Sequence, residues 1–200
     1  KNLRQINGKP LIYWSIVEAQ ESEYVDSVVV STEDIEIKQY SYKQGVDCVI
    51  DRPSSLAQDE SRSVDVVLHA VDALAKQGKK YEYVMLLQPT SPLRTSKHID
   101  SALELMWAKN ATVVVSVCET EHPASWMGYL SKDLMMDEFL DNLTTDLSND
   151  SDRESYQING AIYLAKTSTL ITEKTLFPTP GAYAHIMERS DSIDIDTELD

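Results

Sequence analysis

The stretch Val84–Thr95, reading Val-Met-Leu-Leu-Gln-Pro-Thr-Ser-Pro-Leu-Arg-Thr, constrains the fold more than any other part of the chain. Val84 to Leu87 is a continuous apolar run entered through Tyr81 and Tyr83. A strand that is apolar on both faces belongs in a sheet covered on both sides. The run stops at Gln88, and Pro89 and Pro92 remove the backbone N–H groups that a longer strand would need. Ile99, Ala102, Leu103 and Met106 then fall at helical spacing, with Thr95 or Ser96 as the N-cap. Polar side chains therefore sit at the C-terminal end of a strand and just before a helix, the edge where open α/β sheets bind ligands. The same Gln, Thr and Ser are also ordinary loop and cap residues, so this stretch alone leaves function open.

The rest of the chain repeats this alternation. Asn7-Gly8 marks a turn, and Pro10 suits a first helical position ahead of Leu11, Ile12, Ser15, Ile16 and Ala19. Strands are expected at 26–32, 46–50 and 112–117. The helix opened by Thr32-Glu-Asp-Ile35 runs to about Gln44, and the one from Ser63 carries Val64, Val67, Leu68, Val71 and Leu74 as one stripe up to Gly78. Helices alternating with short apolar strands predict a Rossmann-like α/β fold with a mostly parallel sheet and right-handed crossovers. Residues 119–157 break the rhythm and read as a flap or oligomerisation excursion, after which Gly160 to Leu164 returns to strand character. The 200 residues suit one domain, with 119–157 and 166–182 as flap or dimerisation segments.

Charge narrows the partners. There are 33 acidic and 18 basic residues, a formal net charge of −15, and no basic stripe of the kind that phosphate backbones require. Nucleic acid and charged membrane surfaces are therefore not expected partners. An anionic substrate would have to meet locally placed cations or a metal ion. Cys48 and Cys118 lack metal-ligand spacing and read as small apolar strand residues in a reducing, cytoplasmic setting. No stretch is long and apolar enough to span a membrane.

The six glycines form neither G-x-G-x-x-G nor a Walker loop. The four histidines, at 69, 98, 122 and 185, are dispersed, and His69 beside its apolar stripe reads as packing. The tail says more. In Ile193-Asp194-Ile195-Asp196 a strand period of two would put both aspartates on one face. Paired carboxylates repel unless a cation lies between them, and one or two carboxylates completed by water and phosphate is the usual Mg²⁺ arrangement. A solvated acidic edge strand explains the same pattern.

Lys1-Asn2…Asn7-Gly8-Lys9-Pro10-Leu11, Leu87-Gln-Pro-Thr-Ser-Pro-Leu-Arg94, Asn159-Gly-Ala-Ile-Tyr163 and Ser192-Ile-Asp-Ile-Asp-Thr-Glu198, in that order, resemble the CMP-sialic acid synthetase (acylneuraminate cytidylyltransferase) family over nearly the whole chain. The resemblance implies transfer of CMP from CTP to a sialic-acid-like sugar with release of pyrophosphate, Mg²⁺ as cofactor and a homodimer. It places Lys1 and Asn2 at the end of the nucleotide loop, Arg52 and Ser63 near cytosine and ribose, and Gln88 and Tyr163 at the acceptor sugar. Asp194 and Asp196 match the metal-binding aspartates. Phe177 falls where the family has an aromatic pair that reaches into the partner subunit's site. The implied chemistry is in-line attack by the sugar's anomeric hydroxyl on the α-phosphorus of CTP, with the general base open between Asp196 and a metal-bound hydroxide.

The family also has a buried first strand and an Arg-x-Gly-Ser-type loop ahead of the Lys-Asn, and these 200 residues do not include them. A first strand of that kind would be central in the sheet. The lysine that often follows the family's His-Pro is replaced by Ala124-Ser125-Trp126, and the usual Arg-Gln pair by Ser148–Asp152. Fewer acceptor-side cations point beyond N-acetylneuraminate to related nonulosonic acids such as legionaminic or pseudaminic acid. Activation of 3-deoxy-octulosonate and a catalytically inactive CTP- or sugar-binding dimer are the alternatives.

Overall fold

The computed structural model describes residues 1–58, 60–122, 126–137, 140, 154–198 and 200. Much of the 119–157 excursion, including Ala124, Ser125 and Ser148–Asp152, therefore lies outside the described residues. The chain opens with a small hairpin, β1 (Gln5–Ile6) and β2 (Lys9–Pro10), turned by Asn7 and Gly8 at φ 51° and 75°. Both turn residues are left-handed, as a two-residue type I′ hairpin requires. Helix α1 (Leu11–Gln20) follows, and Leu11, Ile12, Ser15, Ile16 and Ala19 are its buried residues. Pro10 is its N-cap rather than its first helical residue.

Next come β3 (Val29–Thr32), α2 (Ile35–Lys43) and β4 (Cys48–Asp51), with β3 and β4 parallel. The α2 start is explicit: the Asp34 carboxylate accepts from the Glu36 and Ile37 N–H groups at 2.7 and 3.1 Å. The long amphipathic helix is α3 (Ser63–Lys76), and Gly78 ends it at φ 79°. Then β5 (Tyr83–Leu86) leads through the Gln-Pro-Thr-Ser-Pro turn into α4 (Ser96–Ala108). Thr95 caps α4, and its N–H donates to Nδ1 of His98 at 3.2 Å.

The remaining elements are β6 (Val113–Glu119), β7 (Tyr156–Lys166), α5 (Thr167–Glu173) and β8 (Ala182–Ile186). They complete a four-stranded sheet in the order β5-β7-β6-β8. Strand β7 is antiparallel to both β5 and β6, whereas β6 and β8 are parallel. Thus β5, β6 and β8 share one direction, and the sheet is mixed through β7 alone. A strand that follows an excursion can enter from the opposite edge, which simple helix–strand alternation does not anticipate.

The expected central strand differs in one respect. All four residues of β5 are half-buried rather than buried, because among the described residues it pairs only with β7. The buried strand is β6, with Val113, Val114 and Val115 between two neighbours. Two apolar cores flank this sheet. One gathers α4 and the inner face of β7 around Ile99, Met106 and Ile162. The other joins α3, α5 and the opposite face around Val67, Leu170 and Leu176. Of the segment expected as a flap, α5 and Leu176 thus belong to the core. A third cluster joins Ile12 and Ile16 of α1 to Val30, Val46 and Val49. Helix α1 therefore bridges the β3–β4 pair and the larger sheet.

The terminal Ile193–Asp196 run is not a strand. The chain forms a short 3₁₀ turn at Arg189–Asp191 and continues without regular pairing. A single backbone bond, from the Ile195 N–H to the Thr90 carbonyl at 2.8 Å, ties it to the turn after β5.

Candidate active site

Two clefts open at the C-terminal end of β5 and meet at Gln88. The first, of about 280 Å³, is lined by Arg52, Gln58, Ser61, Ser63, Leu86 and Gln88, among others. The second, of about 400 Å³, is lined by Gln88, Gln157, Ile158, Asn159, Gly160, Tyr163, Ser192 and Asp194. The residues expected near cytosine and ribose thus share one cleft, and those expected at the sugar share the other.

Arg52 is fixed before any ligand arrives. Its Nε and Nη2 both donate to one carboxylate oxygen of Glu33, at 2.9 and 2.6 Å. Burial pushes the Glu33 carboxyl up, but a backbone hydrogen bond and the Arg52 guanidinium outweigh it and hold the group below the ordinary carboxylate range. Arg52 lines the first cleft as a planar, always-charged donor.

Gln88 and Gly160 define the wall between the clefts. Gly160 has φ 75°, and a Cβ built there would lie 2.8 Å from Oε1 of Gln88. The absence of a side chain at 160 is what lets the Gln88 amide lie across the strand. Tyr163 is half-buried, and its phenol is pushed up by burial and then by the charge of Asp194. Its ring meets Phe177 edge-on, with centroids 5.9 Å apart. Phe177 therefore stands beside the second cleft of its own chain, not only where a partner subunit would receive it, because the turn after α5 folds back over β7.

The acidic tail is held from behind. Asn159 is buried; its Oδ1 accepts from Ser116 Oγ at 2.6 Å, and its Nδ2 donates to Ser192 Oγ at 2.8 Å. Asp194, two residues on, lines the second cleft. Asp196 forms an ion pair with the Lys1 ammonium, and Glu198 pairs with Arg4. The two ends of the chain are thereby brought together. Asn2 lines neither cleft; its carbonyl accepts from the Ile12 N–H at 3.0 Å and anchors the first residues on α1.

No group of three or more His, Cys, Asp or Glu converges among the described residues, so a metal held by protein ligands alone has no site there. Asp194 and Asp196 are exposed hard oxygen donors; Asp194 lines the second cleft, whereas Asp196 lines neither and is paired with Lys1. That donor set fits Mg²⁺, which binds through one or two carboxylates and completes its shell with water and substrate phosphates.

Sequence reasoning missed three parts of this site. Arg94 is buried beneath it, the Ser116–Asn159–Ser192 chain supports it, and Gln58 and Ser61 line the first cleft. Arg94 and Asn159 lay inside quoted motifs, but nothing local says that their side chains turn inward.

The two clefts lie at the C-terminal edge of a strand in a Rossmann-like α/β fold, where such folds bind ligands, and the family match gives the class as a nucleotidyltransferase. The chain belongs to the cytidylyltransferase family, whose family model, described as Cytidylyltransferase, matches residues 1–176. Within it the chain sits with the CMP-sialic-acid-synthetase-like proteins. It is 31% identical over 202 residues to the CMP-N,N'-diacetyllegionaminic acid synthase of Legionella pneumophila, covering 100% of this chain and 85% of that protein. It is 32% identical to the N-acylneuraminate cytidylyltransferase of Escherichia coli, over 100% of this chain but 46% of that longer protein. The pseudaminic acid cytidylyltransferase of Campylobacter jejuni is 29% identical, with 100% and 85% covered. Among solved structures, a CMP:2-keto-3-deoxy-manno-octonic acid synthetase complexed with CTP superposes with a TM-score of 0.67 at 15% identity, covering 94% of this chain and 83% of that one. A 4-diphosphocytidyl-2C-methyl-D-erythritol synthase from Anaerococcus prevotii gives 0.65 at 10% identity, covering 98% and 86%. These likenesses establish the fold.

Proposed function

We propose that this protein transfers CMP from CTP to the anomeric hydroxyl of a nonulosonic acid and releases pyrophosphate. The observation that carries the reading is the pair of clefts meeting at Gln88, one with Arg52 and Ser63 and the other with Tyr163 and Asp194. On this reading cytidine occupies the first cleft and the sugar the second. The reacting hydroxyl and the α-phosphorus meet where Gln88 faces both. The new bond joins the anomeric oxygen to the α-phosphorus, the bond from that phosphorus to the α–β bridging oxygen breaks so that pyrophosphate leaves with the electron pair, and the hydroxyl proton passes to a base, for which Asp196 is the side-chain candidate. Arg52 and Ser63 orient the nucleoside. Gln88 offers an amide NH₂ with two donors and a carbonyl acceptor, enough to hold the sugar while sensing the nucleotide. Tyr163 and Phe177 exclude water from one side of the sugar.

Asp194 and Asp196 would hold Mg²⁺ with the CTP phosphates. That ion supplies neutralisation of the phosphate charge. Lys1, now paired with Asp196, would turn toward the same phosphates. Positioning and charge placement then carry most of the rate. A homodimer in the cytoplasm completes the reading by family analogy.

The test is pyrophosphate release with CTP, Mg²⁺ and a panel of N-acetylneuraminate, legionaminate, pseudaminate and 3-deoxy-octulosonate. Turnover with a nine-carbon acid, reduced at least 100-fold in Asp194→Asn/Asp196→Asn, is expected from the typical weight of charge-stabilising groups. CTP binding without turnover on any sugar overturns the transferase reading.

A further inference from the structure

The second cleft poses an electrostatic problem. Among the described residues its lining includes one carboxylate, Asp194, and no cation. A sugar acid placed there meets no basic side chain of the described residues on the cleft surface.

A positive charge lies directly behind that surface. Arg94 is 1% exposed, at the end of the turn that follows β5. Its Nη1 donates to the Gln88 carbonyl at 3.2 Å and to the Ala161 carbonyl at 3.0 Å, and its Nη2 donates to Ser15 Oγ at 2.6 Å. Nε has no partner. Every acceptor is neutral, and no carboxylate of the described residues forms an ion pair with it. Glu18, the acid whose field reaches it, has a carboxylate oxygen engaged with the Ser96 N–H at 2.6 Å. Burial lowers the guanidinium to about 10, so it remains charged at neutral pH.

A buried charge without a counter-ion is costly, and it persists only where the surroundings enforce it. Here Arg94 clamps the backbone of two residues at the cleft wall, Gln88 and the neighbour of Gly160. Structure alone needs only the donors of that clamp; it does not need the unit charge, which a neutral donor would spare. An anion arriving on the far side of the wall supplies what is missing, and low-dielectric surroundings keep solvent ions from screening the attraction.

We propose that Arg94 is a positioning residue whose buried charge, ion-paired with no carboxylate of the described residues, also selects for the carboxylate of the sugar in the second cleft. This rests on the sugar-acid reading above, and it adds that acid recognition comes through the wall rather than from a surface cation.

The experiment compares binding of each sugar acid with its neutral carboxamide in wild type, Arg94→Lys and Arg94→Gln, with CTP affinity measured on the same samples. Lys keeps the charge and Gln keeps donors without it. The expected result is a preference for acid over amide that Arg94→Lys retains within about threefold and Arg94→Gln loses by about tenfold, the acid-to-amide ratio within each variant cancelling any loss of binding common to both ligands. An unchanged preference in Arg94→Gln, with CTP binding intact, overturns the proposal and leaves the transferase reading standing. Should Arg94→Gln lose CTP binding through misfolding, the wild type decides. Its acid preference is expected to survive 0.5 M KCl, and a preference abolished by salt would assign recognition to solvent-exposed cations and overturn the proposal. Wild type that binds no sugar acid removes both readings together.

Discussion

At the scale of single residues, the site depends on groups that local sequence does not advertise. Gly160 is the sharpest case. A side chain there suffers both a left-handed backbone and collision with the Gln88 amide. Gly160→Ala is expected to cost about 1 kcal/mol from backbone strain, and roughly 2–4 °C in the unfolding midpoint. It should raise KM for the acceptor sugar more than KM for CTP, because the displaced Gln88 side chain loses its place over β7. Steady-state kinetics with each substrate varied in turn will check this. Equal effects on both would show that Gly160 acts through the shared Gln88 wall or through stability and not on the sugar side alone. Asn159 illustrates the opposite situation: its polar atoms face inward, toward Ser116 and Ser192, and removing them would leave buried partners unsatisfied rather than merely lose a contact.

At the scale of elements, the sequence reading is strongest where one helix meets one face. The stripes of α1, α3 and α4 follow directly from a 3.6-residue period, and the buried residues fall where that period puts them. The reading is weaker for strands. The apolar run of β5 was legible as a strand, but its burial depends on pairing across the sheet, which no local pattern records. The direction of β7 and the irregular course of Ile193–Asp196 have the same origin. One contact between elements carries a pH dependence. His98 on α4 and His185 on β8 have ring centroids 6.4 Å apart, and Asp191 stands 3.6 Å from His98 Nε2. Burial holds both imidazoles below their ordinary value of 6.5; the Asp191 charge opposes this for His98, and His98 reinforces it for His185. The unfolded chain therefore binds protons first as pH falls below about 6.5, so stability declines with falling pH in that range. The unfolding midpoint should drop between pH 7.5 and 5.5, and by less in His98→Gln/His185→Gln. The paired carboxylates, Glu33 and Asp65, titrate below this window, which isolates the histidines. A double variant with an unaltered drop would refute the assignment.

At the scale of the whole molecule, a net charge of −15 sits on a chain meant to meet a triphosphate. Self-repulsion of this kind destabilises the compact state and is screened by salt. The unfolding midpoint is expected to rise between 10 and 200 mM KCl by about 2–4 °C, which corresponds to roughly 1 kcal/mol for a chain of this length; scanning calorimetry at the two salt concentrations measures it. A midpoint that falls instead would give the exposed pairs, such as Lys1–Asp196 and Arg4–Glu198, more weight than exposed ion pairs usually have. Those pairs join residues at opposite ends of the sequence, which no local pattern records.

The shared wall at Gln88 has an evolutionary consequence. A side chain that serves two ligands cannot be retuned for one without disturbing the other. Descendants of such a protein that adopt a new sugar are therefore expected to keep this glutamine and to vary where only the second cleft is touched, at Gln157 and Ile158. Nucleotide choice and acceptor choice would then diversify at different rates within one lineage, with the donor side fixed early and the acceptor side free to drift.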